Sequence, residues 1–142
     1  MAHCLMLPHR PMGLPHVWNI DAHVGDQRSE NRATDVELMK LLIKSALDFG
    51  RGAEESHSYE SNPPLTLNGA FDQTLAFWIY RLQFTFGIEP KDGKVSPVRR
   101  AGTGMLLQLN YQMRLRNALF WADLAAAPGI SFALRTEMAR RV

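Results

Sequence analysis

Two stretches of the chain repeat apolar residues at helical spacing, and the first follows Thr34. Thr34 and Glu37 have the spacing of a capping box, and Gly50 supplies a left-handed stop, so the sequence predicts a helix between Thr34 and Gly50. The apolar residues of this helix are expected to pack in a core. Its solvent face is expected to hold the charged residues Asp35, Glu37, Lys40, Lys44 and Asp48.

The second apolar stretch is expected to form a helix between Asp72, a good N-cap, and Gly87. Its inward stripe is predicted to be Leu75, Trp78, Ile79, Leu82 and Phe86. Phe77, Tyr80 and Phe84 lie off this stripe, which indicates either burial on several sides or an exposed binding face. Burial under the N-terminal segment is the preferred interpretation.

Weaker helical patterns occupy the C-terminal third of the chain. A third helix is expected to begin near Thr103, with apolar positions at Leu106, Leu107, Leu109, Met113 and Leu115. The pattern continues until Pro128 and Gly129 interrupt it, and residues 130–142 are expected to form a short amphipathic helix. Residues 51–64, rich in Gly, Ser, Glu and Pro, are expected to be a flexible loop.

Residues 1–18 are predicted to form an extended arm, because Pro8, Pro11 and Pro15 withhold backbone donors and disfavour helix. The domain organisation is then an arm at 1–18, a helical domain at 19–116 and a C-terminal helical extension at 117–142. Both ends are too apolar for free tails, so we expect them to dock on the domain or on a neighbouring subunit. The expected partner contacts are Leu5, Leu7, Trp18, Phe120, Trp121 and Phe132.

Two short turn sequences flank the second helix. Asn68-Gly69 precedes it and Asp92-Gly93 follows it, and such pairs favour turns because both residues tolerate positive φ. We therefore expect Gly69 and Gly93 to have positive φ. An apolar residue lies two positions beyond each glycine, where it can fold back against the turn.

Together these residues resemble the peptidoglycan-binding-like family of small three-helix modules. The resemblance covers roughly residues 20–110 and rests on the two turns and on Asn31, Asp35, Val36, Phe71, Ile79 and Gln83. Leu82 takes the place of the usual Phe, whereas Leu75 and Trp78 stand where the family has Thr and a small Ala. The resemblance implies an all-α fold with a three-helix core.

By the same resemblance, the module would bind cell-wall glycan or stem peptide at the two turns, without catalysis. The candidate ligand-binding residues are Asn68, Gly69, Gln73, Tyr80, Gln83, Asp92 and Gly93. Gln83 lies beside the core residue Leu82, so bracing a loop backbone is at least as good an interpretation of its role. A fold resemblance does not settle function.

Composition narrows the classes of partner. The chain has 142 residues, the usual size of one domain, with 46% hydrophobic and 21% charged residues. Its net charge of +2 is too small to indicate nucleic-acid binding. No apolar run approaches the roughly 20 residues of a membrane span. The resemblance implies peptidoglycan as the partner, and the apolar ends indicate other protein subunits, within an oligomer or larger assembly.

The sequence offers little for catalysis, metal binding or a cofactor. The five histidines, none in a ligand-like spacing, are His3, His9, His16, His23 and His57. Cys4 lies near the start of a Pro-rich segment, an improbable place for a nucleophile. No catalytic residue, metal ligand or cofactor is therefore predicted.

The N-terminal segment does not read as a signal peptide, since Pro8 and Pro11 interrupt its apolar run. We expect cytoplasmic synthesis without a Sec signal. The protein would then reach a cell wall by lysis, by a contractile injection machine or on a virion. An alternative of nearly equal weight is a structural or adaptor subunit of such an assembly that reuses the same fold.

Overall fold

The computed structural model describes residues 1–26, 28–49, 64–89, 91–99 and 104–141. Almost all of the predicted loop at 51–64, the stop at Gly50, His57 and Thr103 lie outside these residues. Within the described part, the chain forms five α-helices: α1 (Ala33–Phe49), α2 (Gln73–Phe86), α3 (Met105–Arg116), α4 (Ala118–Ala122) and α5 (Phe132–Met138). None of the helices in the described ranges is long and apolar enough to cross a membrane.

Short strands accompany the helices, so the fold is mixed α/β. Strands β1 (His3–Met6) and β2 (His16–Asn19) form one antiparallel pair, and β3 (Val24–Gly25) and β4 (Lys94–Val95) form another. The expectation of an all-α, three-helix fold is therefore wrong. The strands were missed because each has four residues or fewer, too short for a clear alternating pattern.

The N-terminal segment is a β-hairpin and not an extended arm. Cys4 pairs with Trp18 and Met6 with His16 across the two strands. The three prolines all fall in the connection between the strands, where their missing N–H groups interrupt no ladder bond. The Leu7 amide donates to the Pro15 carbonyl at 2.9 Å and closes this connection.

The hairpin is part of the core of the protein. β2 packs on α3, and β1 packs on α5. The fully buried Asn110 of α3 joins the layers, because its Oδ1 accepts from the Trp18 amide at 2.9 Å and from Trp121 Nε1 at 3.0 Å. Trp18 Nε1 in turn donates to the Trp121 carbonyl at 2.7 Å. One apolar core thus includes residues from all three predicted segments.

Helix α1 is the central element of the fold, packed against α3, α5 and β3. The helix itself confirms the sequence prediction, but its predicted solvent face is wrong at three of five positions. Lys44 is partly exposed, and the side chain of Asp48 lies outside the described residues. Asp35, Glu37 and Lys40 are all buried, with exposed fractions of 0%, 4% and 0%. Because α1 is packed on several sides, these three charged groups are removed from water and must find partners inside the protein.

The buried carboxylates of α1 bind backbone donors of neighbouring segments. Asp35 accepts from the Ala22 amide at 3.1 Å. Glu37 accepts from the amide of Ser131 at 2.7 Å and from its hydroxyl at 2.6 Å. Glu37 therefore ties α1 to the start of α5 and does not complete a capping box. Thr34 lies inside the first turn, because the helix already begins at Ala33.

Helix α2 confirms its predicted start, stop and inward stripe. Asp72 accepts from the Leu75 amide as N-cap, and Gly87 ends the helix with φ 65°. The side chains at four of the five predicted inward positions are buried, and Phe86 packs partly buried against the core. In α3, however, the predicted core residue Leu115 is 62% exposed in the last turn of the helix.

Candidate functional site

The outer face of α2 presents a line of aromatic side chains. Phe77, Tyr80 and Phe84 are spaced by three and four residues, so at 3.6 residues per turn they lie along one side of the helix. Gln73, four residues before Phe77, lies on the same side. Phe77, Tyr80 and Phe84 are 42%, 43% and 74% exposed. Their predicted burial under the N-terminal segment is wrong, because the hairpin packs on α3 and α5. We call these three side chains the aromatic ridge.

A groove of about 530 Å³ runs beside the ridge. Its lining consists of Asp26, Phe71, Asp72, Gln73, Ala76, Phe77 and Tyr80. Three of these residues are aromatic, and the acidic and amide groups provide hydrogen-bonding positions. A concave, mainly apolar surface with a few convergent polar groups is the usual form of a ligand site.

A buried lysine holds the carboxylate of Asp72 at this groove. Lys40 Nζ donates to Asp72 Oδ2 at 2.8 Å and to Asn68 Oδ1 at 2.7 Å. Asp72 Oδ1 accepts from the Leu75 amide at 2.8 Å. Burial by itself would raise the pKa of Asp72, but the Lys40 ammonium and the Leu75 amide outweigh it and hold the pKa below its ordinary value. The carboxylate is therefore ionised and fixed in position.

The first turn is shaped by Asn68 and Gly69, but not as the sequence predicts. Asn68 Oδ1 accepts from the Ala70 amide at 3.0 Å, which makes a local side-chain turn. Gly69 is not among the glycines with positive φ, so that prediction is wrong. Its missing side chain instead allows the turn to approach the start of α1 closely, since a Cβ on Gly69 would lie 2.8 Å from the carbonyl oxygen of Ala33.

The second turn is held by Gln83, which is only 1% exposed. Its Oε1 accepts from the Gly93 amide at 2.9 Å, and its Nε2 donates to the Lys94 carbonyl at 2.9 Å. Asp92 Oδ1 accepts from the Lys94 amide at 3.0 Å. Gly93 has φ 75°, as predicted. These contacts favour the bracing role for Gln83 over direct ligand contact.

The second turn also positions Tyr80 of the ridge. A Cβ atom on Gly93 would lie 2.6 Å from Tyr80 Cζ, so the tyrosine ring packs directly on the glycine backbone. The Tyr80 hydroxyl lies 3.4 Å from the Asp92 carbonyl oxygen. One side of the ring is therefore supported by the turn, while 43% of the residue remains exposed.

The structure divides the seven predicted ligand-binding residues into three groups. Gln73 and Tyr80 line the groove. Asn68 and Gly69 shape the first turn, and the second turn is formed by Gln83, Asp92 and Gly93. The groove residues missed from sequence are Asp26, Phe71, Asp72, Ala76 and Phe77. The signal for Phe77 was present, since it lies with Tyr80 opposite the inward stripe of α2.

Most of the predicted partner contacts are used inside the chain. Leu7, Trp18 and Trp121 are 6%, 3% and 3% exposed, so a partner subunit cannot reach them in this fold. Leu5 and Phe120 pack partly buried against the core. Only Phe132, at 83%, is widely exposed among these six.

A second cleft of about 470 Å³ lies between the β4 segment and the start of α3. Within it, Ser96 Oγ is 3.1 Å from His23 Nδ1, and both residues are exposed. A hydroxyl nucleophile needs its histidine oriented by a third group, and no described side chain bonds the other ring nitrogen of His23. In the described ranges, no group of three or more His, Cys, Asp or Glu side chains could hold a metal ion.

No model of a protein family, no curated protein and no solved structure matches this chain. The geometry of the molecule therefore carries the functional argument.

Proposed function

We propose that the protein is a non-catalytic module that binds cell-wall peptidoglycan, and that the groove on α2 is its binding site. The observation that carries this proposal is the aromatic ridge. Its three side chains leave large apolar surfaces in water beside a concave groove, and exposed apolar patches rimmed by polar groups mark interaction sites. The turn sequences that resemble the peptidoglycan-binding-like family flank the same helix.

The chemistry of the groove suits a polar, extended ligand. The ridge follows α2 for about 10 Å, so it offers contacts at several points along a chain molecule. Asp72 and Gln73 supply hydrogen-bonding groups at one end. Because Lys40 and the Leu75 amide fix Asp72, this acceptor is in place before a ligand arrives.

Co-sedimentation with purified, insoluble peptidoglycan tests the proposal. We expect the wild-type protein to pellet with the polymer and Tyr80→Ala and Phe77→Ala to remain largely in the supernatant. Phe132→Ala is the matched control, since it removes an exposed phenylalanine from α5. If the wild type does not pellet, or if all three variants pellet equally, the proposal is wrong.

A second candidate, a structural or adaptor subunit of a larger assembly, is favoured by a different observation. Leu119 and Phe132, both outside the groove, are 86% and 83% exposed. Large apolar side chains that remain in water are typical of subunit contacts. A mass measurement in solution on wild type, Leu119→Ala and Tyr80→Ala separates the candidates. A wild-type oligomer that only Leu119→Ala dissociates would support the subunit role.

A further inference from the structure

We infer that the groove on α2 recognises the glycan strands of the wall and not its stem peptides. This inference rests on the proposed function and names the part of the polymer that the groove binds. It is carried by the linear arrangement of the ridge, by the hydrogen-bond acceptors of the groove and by the way its rings are held.

The ridge offers rings one helical turn apart, in the order Phe77, Tyr80 and Phe84. The face of an aromatic ring is electron-rich, so it attracts the polarised C–H bonds that cover the faces of a pyranose ring. A glycan strand repeats such faces along its length. A stem peptide has no comparable series of flat C–H surfaces, and its binding would use few of the exposed rings.

The groove also offers acceptors for the polar groups of a sugar. Asp72 is paired with the buried ammonium of Lys40, so its carboxylate is already compensated. The other acidic residue among the described residues of the lining is Asp26. Sugar hydroxyl and N-acetyl N–H groups are uncharged donors, so they can donate to these acceptors without bringing a charge into the groove.

The rings of the ridge are held by neighbouring groups before any ligand binds. Tyr80 packs on the backbone of Gly93. The Phe77 ring meets Trp78 edge to face at a centroid distance of 5.4 Å, and the Arg81 guanidinium lies 6.0 Å from the Phe77 centroid. A platform that is already ordered loses little entropy on binding, so a weak stacking contact can still contribute to affinity.

Titration of the protein with two soluble probes tests the inference. The probes are β-1,4-linked N-acetylglucosamine oligomers and a synthetic stem pentapeptide, and calorimetry or amide chemical shifts report binding. We expect the oligomers to bind and the pentapeptide not to bind. Tyr80→Ala should weaken oligomer binding by about tenfold or more, the loss typical of a central aromatic contact.

Two glycine variants provide a matched control for the position of Tyr80. Gly93 and Gly87 both have positive φ, at 75° and 65°, but a Cβ on Gly87 meets nothing within 4 Å. Both Gly→Ala changes therefore strain the backbone, while only Gly93→Ala displaces the Tyr80 ring. We expect Gly93→Ala to weaken oligomer binding and Gly87→Ala to leave it unchanged. Equal affinities for the two variants would contradict the role of Tyr80.

The outcomes separate the inference from the proposed function. If insoluble peptidoglycan is bound but the pentapeptide binds and the oligomers do not, the inference is overturned and the proposed function stands. Binding of the polymer with neither soluble probe bound also overturns it. If the polymer itself is not bound, the proposed function fails first.

Discussion

Helices α1 and α2 distribute their side chains in opposite ways. On α1, the charged residues Asp35 and Lys40 are completely buried. On α2, the aromatic residues Phe77, Tyr80 and Phe84 face water. From hydrophobicity alone, the charged residues of α1 would be expected in water and the aromatic residues of α2 in the core. The comparison teaches that the environment of a residue here depends on how many sides of its helix are covered.

The two helices differ in their neighbours. α1 is packed by α3, α5 and β3, and each buried charge has a partner, such as Asp72 for Lys40 and Ser131 for Glu37. The partners offset the free energy of removing these charges from water. α2 packs chiefly against α3, so its opposite side has no cover within the described residues.

The largest expected effect comes from apolar truncation of α1. Ile43→Ala should lower the free energy of unfolding by about 2–5 kcal/mol, because the fully buried side chain leaves a cavity. Phe84→Ala on the ridge should change it by less than about 0.5 kcal/mol. Denaturant titrations of both variants measure the difference. Similar losses would mean that the two helices are equally buried.

Removal of the buried ammonium should have a smaller effect. Lys40→Met keeps much of the side-chain volume but removes one hydrogen bond each from Asn68 Oδ1 and Asp72 Oδ2, so we expect a loss of about 1–3 kcal/mol. The loss is limited because Asp72, with its side chain 40% exposed, can take up water. Lys44→Met, one turn further along α1, is the control and should be near neutral. An unchanged unfolding midpoint for Lys40→Met would contradict the pairing.

A side chain at Gly93 in the second turn should lower the free energy of unfolding more than one at Gly87, which ends α2. Gly87→Ala should cost about 1–2 kcal/mol through its left-handed backbone conformation. Gly93→Ala should cost more, since its Cβ also meets the Tyr80 ring. Thermal unfolding followed by circular dichroism compares them. A more stable Gly93→Ala variant would show that the Tyr80 ring does not pack on this turn.

The smallest expected effect is a pH dependence at the groove. The lowered pKa of Asp72 means that its contribution to stability is present above the ordinary value of 3.8 and is lost as the pH falls through the folded value. Asp35 acts in the opposite direction, because burial raises its pKa. Asp72→Asn should therefore flatten the loss of melting temperature in acid. An acid profile identical to that of the wild type would show that Lys40 does not lower the pKa of Asp72.

Local patterns predicted the helices well. Asp72 and Gly87 gave the ends of α2, and the period of 3.6 residues gave its buried face, because caps and periodicity depend on residues close in sequence. The sequence also located the Asp92-Gly93 turn and the positive φ of Gly93. It also named Gln73 and Tyr80 as candidate site residues, but it placed the site at the two turns and not in a groove on α2.

The sequence by itself determined where the helices α1 and α2 lie and where the second turn forms. Only the tertiary structure decided that residues 1–18 form a hairpin in the core, that Lys40 is buried with Asp72, and that the ridge is open to solvent. These features depend on which elements pack together across tens of residues. Such packing sets desolvation and exposure, which no local pattern specifies.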